Sequence, residues 1–258
     1  MPAPDPIAFT IFHIDIMWYA ILICGGIVAA AFLCCRRAPA HGLTSDQILN
    51  FALICIPAGI TGARLYYVLF HWSWYAGDFF RIINIRGGGL AIHGGLIAGL
   101  STAALLCWIW NIHPLNLLDL AAPSIAFAQS VGRWGNYFNA EAHGGPTDLP
   151  WAITVDGQSV HPTFLYESIW CFLLFLFLLW MDSRYRSFEG RTFLLYGMLY
   201  SLERFFVEAL RTDSLMIGPF KQAPLITPDI LIVCAAAYVI PQRRHRSGQS
   251  GPSNSEQR

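Results

Sequence analysis

Gly132-Arg133-Trp134-Gly135-Asn136-Tyr137-Phe138-Asn139-Ala140-Glu141-Ala142-His143-Gly144 closes an apolar run that begins near Leu117. An arginine, two amide side chains, a carboxylate and a histidine lie there beside a stretch with the length and composition of a membrane span. Ionisable groups at membrane depth are costly unless they face a partner, a ligand or water, so this stretch marks a functional site if the run crosses a bilayer. Composition indicates that it does. Hydrophobic residues make up 55% of the 258 and charged residues 12%, against about 25% charged in a soluble globular domain. The expectation is an all-α membrane protein in one membrane-embedded domain.

A spanning helix needs about 20 mostly apolar residues, and runs of that kind occur seven times. They cover roughly Ile14 to Cys35, Ile48 to Phe70, Leu90 to Trp110, Leu117 to Gly135, Thr163 to Met181, Phe193 to Leu210 and Leu225 to Ile240. Trp18, Tyr19, Trp72, Trp74, Trp108, Trp110 and Trp180 gather near the ends of these runs, as an interfacial aromatic belt requires. The reading is a polytopic bundle of seven transmembrane helices.

Orientation follows from the loops. Nine arginines (36, 37, 184, 186, 191, 243, 244, 246 and 258) fall on one side, against Arg81, Arg86, Arg211 and Lys221 on the other. The positive-inside rule then puts the N-terminus outside and the C-terminus in the cytoplasm. No basic residue precedes the first run and no small-residue cleavage site follows it, so the first span is expected to be retained. Residues 1–246 would form the seven-helix membrane-embedded domain, with a small external cap over about 136–162. Residues 247–258, rich in Ser, Gly and Gln, read as a disordered cytoplasmic tail.

Formal net charge is zero, which argues against nucleic acid as a partner. The seven cysteines lie in or beside apolar runs without a C-x-x-C pair, and neither a disulfide framework nor a metal site is suggested.

Several constellations carry chemistry. Arg133 and Asn136 are three apart and share a face if helix continues that far; an arginine fork beside an amide suits a phosphate or carboxylate. Gly135 and Gly144 read as positions that allow backbone conformations closed to other residues. His93, in Ile92-His93-Gly94-Gly95, is suited to proton transfer near neutral pH, and its two glycines permit close approach of a substrate or another helix. A lone histidine is more often structural, and both readings stand. Tyr200, Arg204 and Glu208 recur every four residues along one helical face, either as an ion pair holding helices together or as a second phosphate clamp with Glu208 fixing Arg204. Glu167 reads as an acid or base, or as a helix-start carboxylate favoured by the macrodipole. Asp119 and Arg64 read as a candidate internal pair.

Taken together the chain resembles the prolipoprotein diacylglyceryl transferase family over essentially its full length. The residues carrying the resemblance are the 132–144 stretch, His93-Gly94-Gly95-Leu96, His161-Pro162-Thr163-Phe164-Leu165-Tyr166-Glu167, and Arg204-Phe205-Phe206-Val207-Glu208-Ala209-Leu210-Arg211. The resemblance implies a multi-pass enzyme of the bacterial cytoplasmic (inner) membrane. Such enzymes move the diacylglyceryl group of phosphatidylglycerol onto the lipobox cysteine of a prolipoprotein, forming a thioether and releasing glycerol phosphate. It also implies an essential histidine at His93, a signature arginine and asparagine at Arg133 and Asn136, and a second arginine and glutamate at Arg204 and Glu208. Functional tyrosines fall at Tyr19 and Tyr200 and the closing signature positions at Asn139, Glu141 and Gly144, and the resemblance implies that these bind phosphatidylglycerol together with Arg133, Asn136 and Arg204. Ala140 stands where many members have glycine, and Phe164 where many have glutamine.

On this reading Arg133 and Arg204 bind the phosphodiester and the charge on the leaving oxygen. His93 takes the proton of the incoming thiol, because thiolate and not thiol attacks carbon. Glu208 orients Arg204, Asn136 fixes glycerol or phosphate oxygens, and no cofactor or metal is needed. The rival readings are an anion transporter, disfavoured by an odd span count without a visible repeat, and a scaffold for membrane proteins.

Overall fold

A computed structural model describes residues 4–85, 87–212, 216–217 and 220–249, with side chains for 4–85, 87–212 and 227–240. In chain order the elements are β1 (Ile7–Ile11), β2 (Ile14–Met17), α1 (Trp18–Arg37), a single 3-10 turn (Ala38–His41), α2 (Ser45–Phe70), the short α3 (Trp72–Tyr75) and α4 (Phe79–Ile83), and α5 (Ile92–Ile109). There follow α6 (Pro114–Phe138), β3 (Ile153–Val155), β4 (Gln158–Val160), α7 (Thr163–Arg184), α8 (Arg191–Leu210), β5 (Met216–Ile217), β6 (Phe220–Lys221) and α9 (Gln222–Gln249).

Helix covers most of each of the seven apolar runs. Among the described residues α1, α2, α5 and α7 are long and apolar enough to cross a membrane, and the chain is a multi-pass membrane protein. Their outward faces carry large apolar side chains such as Val28, Phe32, Leu53, Leu69, Ile97, Leu100 and Leu173, all exposed, as lipid in place of water allows. α6 and α8 have the length but carry the polar residues of the candidate site, and the described apolar part of α9, Thr227–Ile240, is shorter.

The first run does not start as helix. Ile14–Met17 is β2, paired antiparallel with β1 through Thr10–Asp15 and Ile11–Ile14. Thr10 Oγ1 donates to Asp15 Oδ1 at 2.7 Å, and Phe12 and His13 close the hairpin at φ 48° and 63°. Positive φ at both turn residues matches the twist of the strands. A count of apolar content alone cannot separate such a strand from the helix it feeds. At the other end α9 continues through Gln249, taking in the first residues of the expected tail; the rest of the tail and Arg86 lie outside the described residues.

The chain divides into two compact units, residues 33–117 and residues 1–32 with 118–258. In the first, α2 begins with a capping box in which Thr44 Oγ1 accepts from Gln47 N at 3.2 Å and Gln47 Oε1 accepts from Thr44 N at 2.9 Å. α2 and α5 cross at glycines. A Cβ on Gly94 would lie 2.3 Å from Tyr66 Cβ and 2.4 Å from Gly62 O, and one on Gly62 would lie 2.2 Å from Ala98 Cβ. Only backbone against backbone fits there, the small-residue packing that membrane helices use. Just before α5, Ala91 N donates to Ala63 O at 3.0 Å.

In the second unit α6 is fastened to α7 by Trp134 Nε1 donating to Ser168 Oγ at 3.0 Å and Ser168 Oγ donating to Ser130 O at 2.9 Å. Asp119 of α6, 2% exposed, accepts from Gly190 N at 2.7 Å and Phe193 N at 2.8 Å. Its carboxylate thus caps the positive end of α8, whereas Arg64 spends its donors within the 33–117 unit, as set out below. Gly197 of α8 meets Cys234 of α9, where an added Cβ would be 2.8 Å from the sulfur. The hairpin β3–β4 packs Ile153, Val155 and Val160 against Phe164, with Tyr137, Ala140 and Leu165 around them, so the 136–162 region folds onto the ends of α6 and α7.

Candidate active site

Arg133 lies one turn before the end of α6. The helix runs to Phe138, so Asn136 does share its face. Arg133 Nη2 donates to Tyr200 Oη of α8 at 3.1 Å, and Arg133 Nη1 lies 3.2 Å from Glu167 Oε2 of α7. Glu167 Oε2 accepts no hydrogen bond among the described residues, so that last contact is an ion pair. Glu167 Oε1 accepts from Arg204 Nη1 of α8. One turn further along α8, Glu208 Oε2 accepts from Arg204 Nη2 at 2.5 Å. Two guanidiniums from two helices are therefore held on either side of one carboxylate from a third.

Exposure sorts these groups. The Glu167 side chain is 0% exposed, Glu208 4%, Arg133 18% and Arg204 17%. A wholly buried carboxylate is tolerable only when paired, and Glu167 is paired twice. Each arginine carries five N–H donors in a fixed fork, and these contacts leave several of them unused among the described residues. The arrangement is a pair of partly exposed cationic forks, their spacing set by buried acid, with donors left over for an oxyanion.

Glu167 was not identified as central from the sequence. It sits at the fifth position of α7, beyond the first turn where the macrodipole acts, so the helix-start reading fails. An acid inside an apolar run was itself the available signal, since it needs a cation. Glu203 was missed altogether; it is 4% exposed and precedes Arg204.

The remaining expected residues are distributed around this core. The Tyr19 ring lies against Gly135, where an added Cβ would be 2.5 Å from Tyr19 Cδ2, and Trp18 stacks on Phe138 at 5.2 Å. Asn139 Nδ2 donates to Glu141 Oε1 at 3.2 Å on an exposed turn. Gly144 N donates to His161 O at 2.9 Å, and a Cβ there would meet His161 Cβ at 2.7 Å and Leu210 O at 3.0 Å. Neither Gly135 nor Gly144 has a positive φ, contrary to expectation. Both are glycine because a neighbour comes too close for a Cβ, and the left-handed residues of the stretch are Ala140 at φ 52° and Ala142 at φ 56°. Phe164, the departure from the family pattern, is 4% exposed, stacked on Tyr137 at 4.9 Å and edge-on to Trp134 at 5.4 Å. It has a packing role.

His93 belongs to the 33–117 unit. It is the second residue of α5, exposed, with its ring 6.3 Å from that of Tyr66 and its neighbour Gly94 buried in the crossing with α2. The expectation that its glycines admit another helix holds.

A family model described as prolipoprotein diacylglyceryl transferase matches residues 6–240. A phosphatidylglycerol–prolipoprotein diacylglyceryl transferase of Clostridioides difficile (strain 630) is 47% identical over 246 residues, covering 95% of this chain and 99% of that protein. Relatives with the same description are 47% identical in Finegoldia magna, over 88% of this chain and 92% of the relative, and 42% identical in Clostridium novyi (strain NT), over 89% and 93%.

Proposed function

The chain belongs to the prolipoprotein diacylglyceryl transferase family, and from that premise we propose that it transfers the diacylglyceryl group of phosphatidylglycerol to the cysteine thiol of prolipoproteins, the first step of lipoprotein maturation. The observation that carries the reading is the Arg133–Glu167–Arg204 arrangement, two partly exposed guanidiniums with donors to spare. The transport and scaffold readings fall with membership of a transferase family.

In the reaction the S–H bond of the lipobox cysteine breaks and its sulfur bonds to the glyceryl carbon. The bond from that carbon to the phosphate oxygen breaks, its electron pair stays on oxygen, and glycerol phosphate leaves. Arg133 and Arg204 bind the phosphodiester and stabilise the charge that grows on the leaving oxygen. Glu167 and Glu208 hold the two forks, so little reorganisation is needed at the moment of reaction. His93 accepts the thiol proton. Asn136, Tyr19, Tyr200, Asn139, Glu141 and Gly144 bind the lipid with the two arginines. The chain crosses the bacterial inner membrane seven times, N-terminus outside and C-terminus in the cytoplasm.

The test offers radiolabelled phosphatidylglycerol with a lipobox peptide. Label should appear on the peptide cysteine with the native protein and disappear with Arg133→Ala or Arg204→Ala, and normal turnover by either variant would remove the clamp. His93→Gln should bind lipid and fail to turn over at any pH; full activity there would remove the base.

A further inference from the structure

Among the described residues Glu203 is a buried carboxyl with no role in the mechanism and no structural bond. Its neighbours in kind are all committed: Asp119 caps α8, Asp182 accepts from Thr192 Oγ1 at 3.2 Å and Arg186 at 3.1 Å, and Glu167 and Glu208 hold arginines. Glu203 is 4% exposed, and among the described residues neither of its oxygens has a hydrogen-bond partner. A buried acceptor without a donor costs about 1–3 kcal/mol, more if charged, so such a group in a native site calls for a partner that arrives with a ligand.

Its position says which ligand. Tyr200, Glu203, Arg204 and Val207 recur at i, i+3, i+4 and i+7 and so share one side of α8. Arg133 of α6, Glu167 of α7, Arg204 of α8 and Arg211 just past its end are all near enough to Glu203 to interact with it electrostatically. A phosphodiester on Arg133 and Arg204 would carry its alcohol substituent a few bonds away, within range of the next group along the same face. The head group of phosphatidylglycerol ends in two neighbouring hydroxyls, each a donor, and a carboxyl with two free oxygens is the matching acceptor pair.

Resting on the function proposed above, we propose that Glu203 is the specificity-determining residue for the head group, accepting hydrogen bonds from the glycerol hydroxyls of the lipid substrate. The mutual pairing makes the site reject lipids that lack them, because those leave both oxygens buried and unpaired.

The experiment compares phosphatidylglycerol with phosphatidylethanol, which has the same phosphodiester and no hydroxyl, as donors to a lipobox peptide. kcat/KM is measured for both lipids with the native protein, Glu203→Ala and Glu203→Gln. The native protein should prefer phosphatidylglycerol by about 100-fold, the cost of leaving the buried acceptors unpaired, mostly through KM. Glu203→Ala should cut that preference about tenfold or more, and Glu203→Gln, which keeps one acceptor oxygen, should fall between. The ratio is taken within each protein, so a poorly folded variant lowers both values and leaves it intact. A structural role for Glu203 therefore predicts an unchanged ratio, and that result overturns the proposal, as does a native protein indifferent to the two lipids. Failure of the native protein to transfer from either lipid overturns the transferase reading itself.

Discussion

Arg64 in the 33–117 unit and the Arg133–Arg204 pair in the other unit face the same difficulty, a guanidinium set in an apolar helix, and they meet it by opposite means. Arg64 is 6% exposed and spends its donors on backbone: Nε on Ile82 O at 2.8 Å, Nη1 on Gly88 O at 2.7 Å and Gly89 O at 3.0 Å, Nη2 on Arg81 O at 2.6 Å. The Tyr75 ring lies 4.9 Å below its charge. Those bonds gather α4 and the glycines before α5 onto α2, and little donor capacity remains. Arg133 and Arg204 take carboxylates as partners, keep unused N–H groups and stay partly exposed. An arginine whose fork is filled by carbonyls acts as a strut; one whose charge is offset but whose fork is unfilled can bind an anion.

Replacing Glu167 tests that distinction most severely. Glu167→Gln removes the charge that holds both forks while keeping the shape of the side chain. Removing one partner of a buried ion pair costs about 3–5 kcal/mol, so the variant should unfold several degrees lower and transfer should fall by at least about 100-fold. Unfolding in detergent and the labelled-lipid assay check both. Transfer within a few fold of native would mean that the arginines need no acid between them, and the contrast with Arg64 would collapse.

Lysine substitutions set the two regions against each other directly. A lysine keeps the charge but not the planar fork. Arg64→Lys should destabilise by about 2–3 kcal/mol, since bonds from a charged donor are lost, and raise amide exchange over 78–89 while the KM for lipid moves little. Arg133→Lys should do the reverse, with stability near native and that KM raised about tenfold. The same pattern in both variants would show that exposure and unfilled donors do not separate a strut from a binding group.

All three arginines stood out in the sequence for one reason, charge in apolar surroundings, and period and composition were enough for that. The same signals located the seven long helices among the described residues and brought Arg133, Tyr200, Arg204 and Glu208 into one candidate set. What they could not supply was pairing across helices. The Glu167 contacts join α7 to α6 and α8 over 34 and 37 residues of chain, and Asp119 reaches Gly190 over 71; no local period encodes either. Glu203 was invisible because an acid beside an arginine on a helix looks like an ordinary solvated pair until burial is known. The glycines misled for a related reason. Close approach and positive φ leave the same residue in the sequence, and only the backbone tells Gly135 and Gly144 from Ala140.

That last point gives the smallest expected effect. Ala140 holds φ at 52°, a left-handed conformation that costs an L-residue roughly 1–2 kcal/mol. Glycine adopts it freely but raises the entropy of the unfolded chain, at about 0.4–1 kcal/mol, and Ala140→Gly also loses a methyl that touches the Ile153–Val155–Val160–Phe164 cluster. The balance is a gain of about 0.5 kcal/mol or less, read as a slight rise in the unfolding midpoint. Transfer should stay at the native level, because no donor or charge around Glu167 changes. If Ala140→Gly instead lowered turnover severalfold at unchanged stability, the turn after α6 would be positioning Arg133 as the 78–89 chain is positioned by Arg64. The proposed anion-binding region would then depend on a strut of its own.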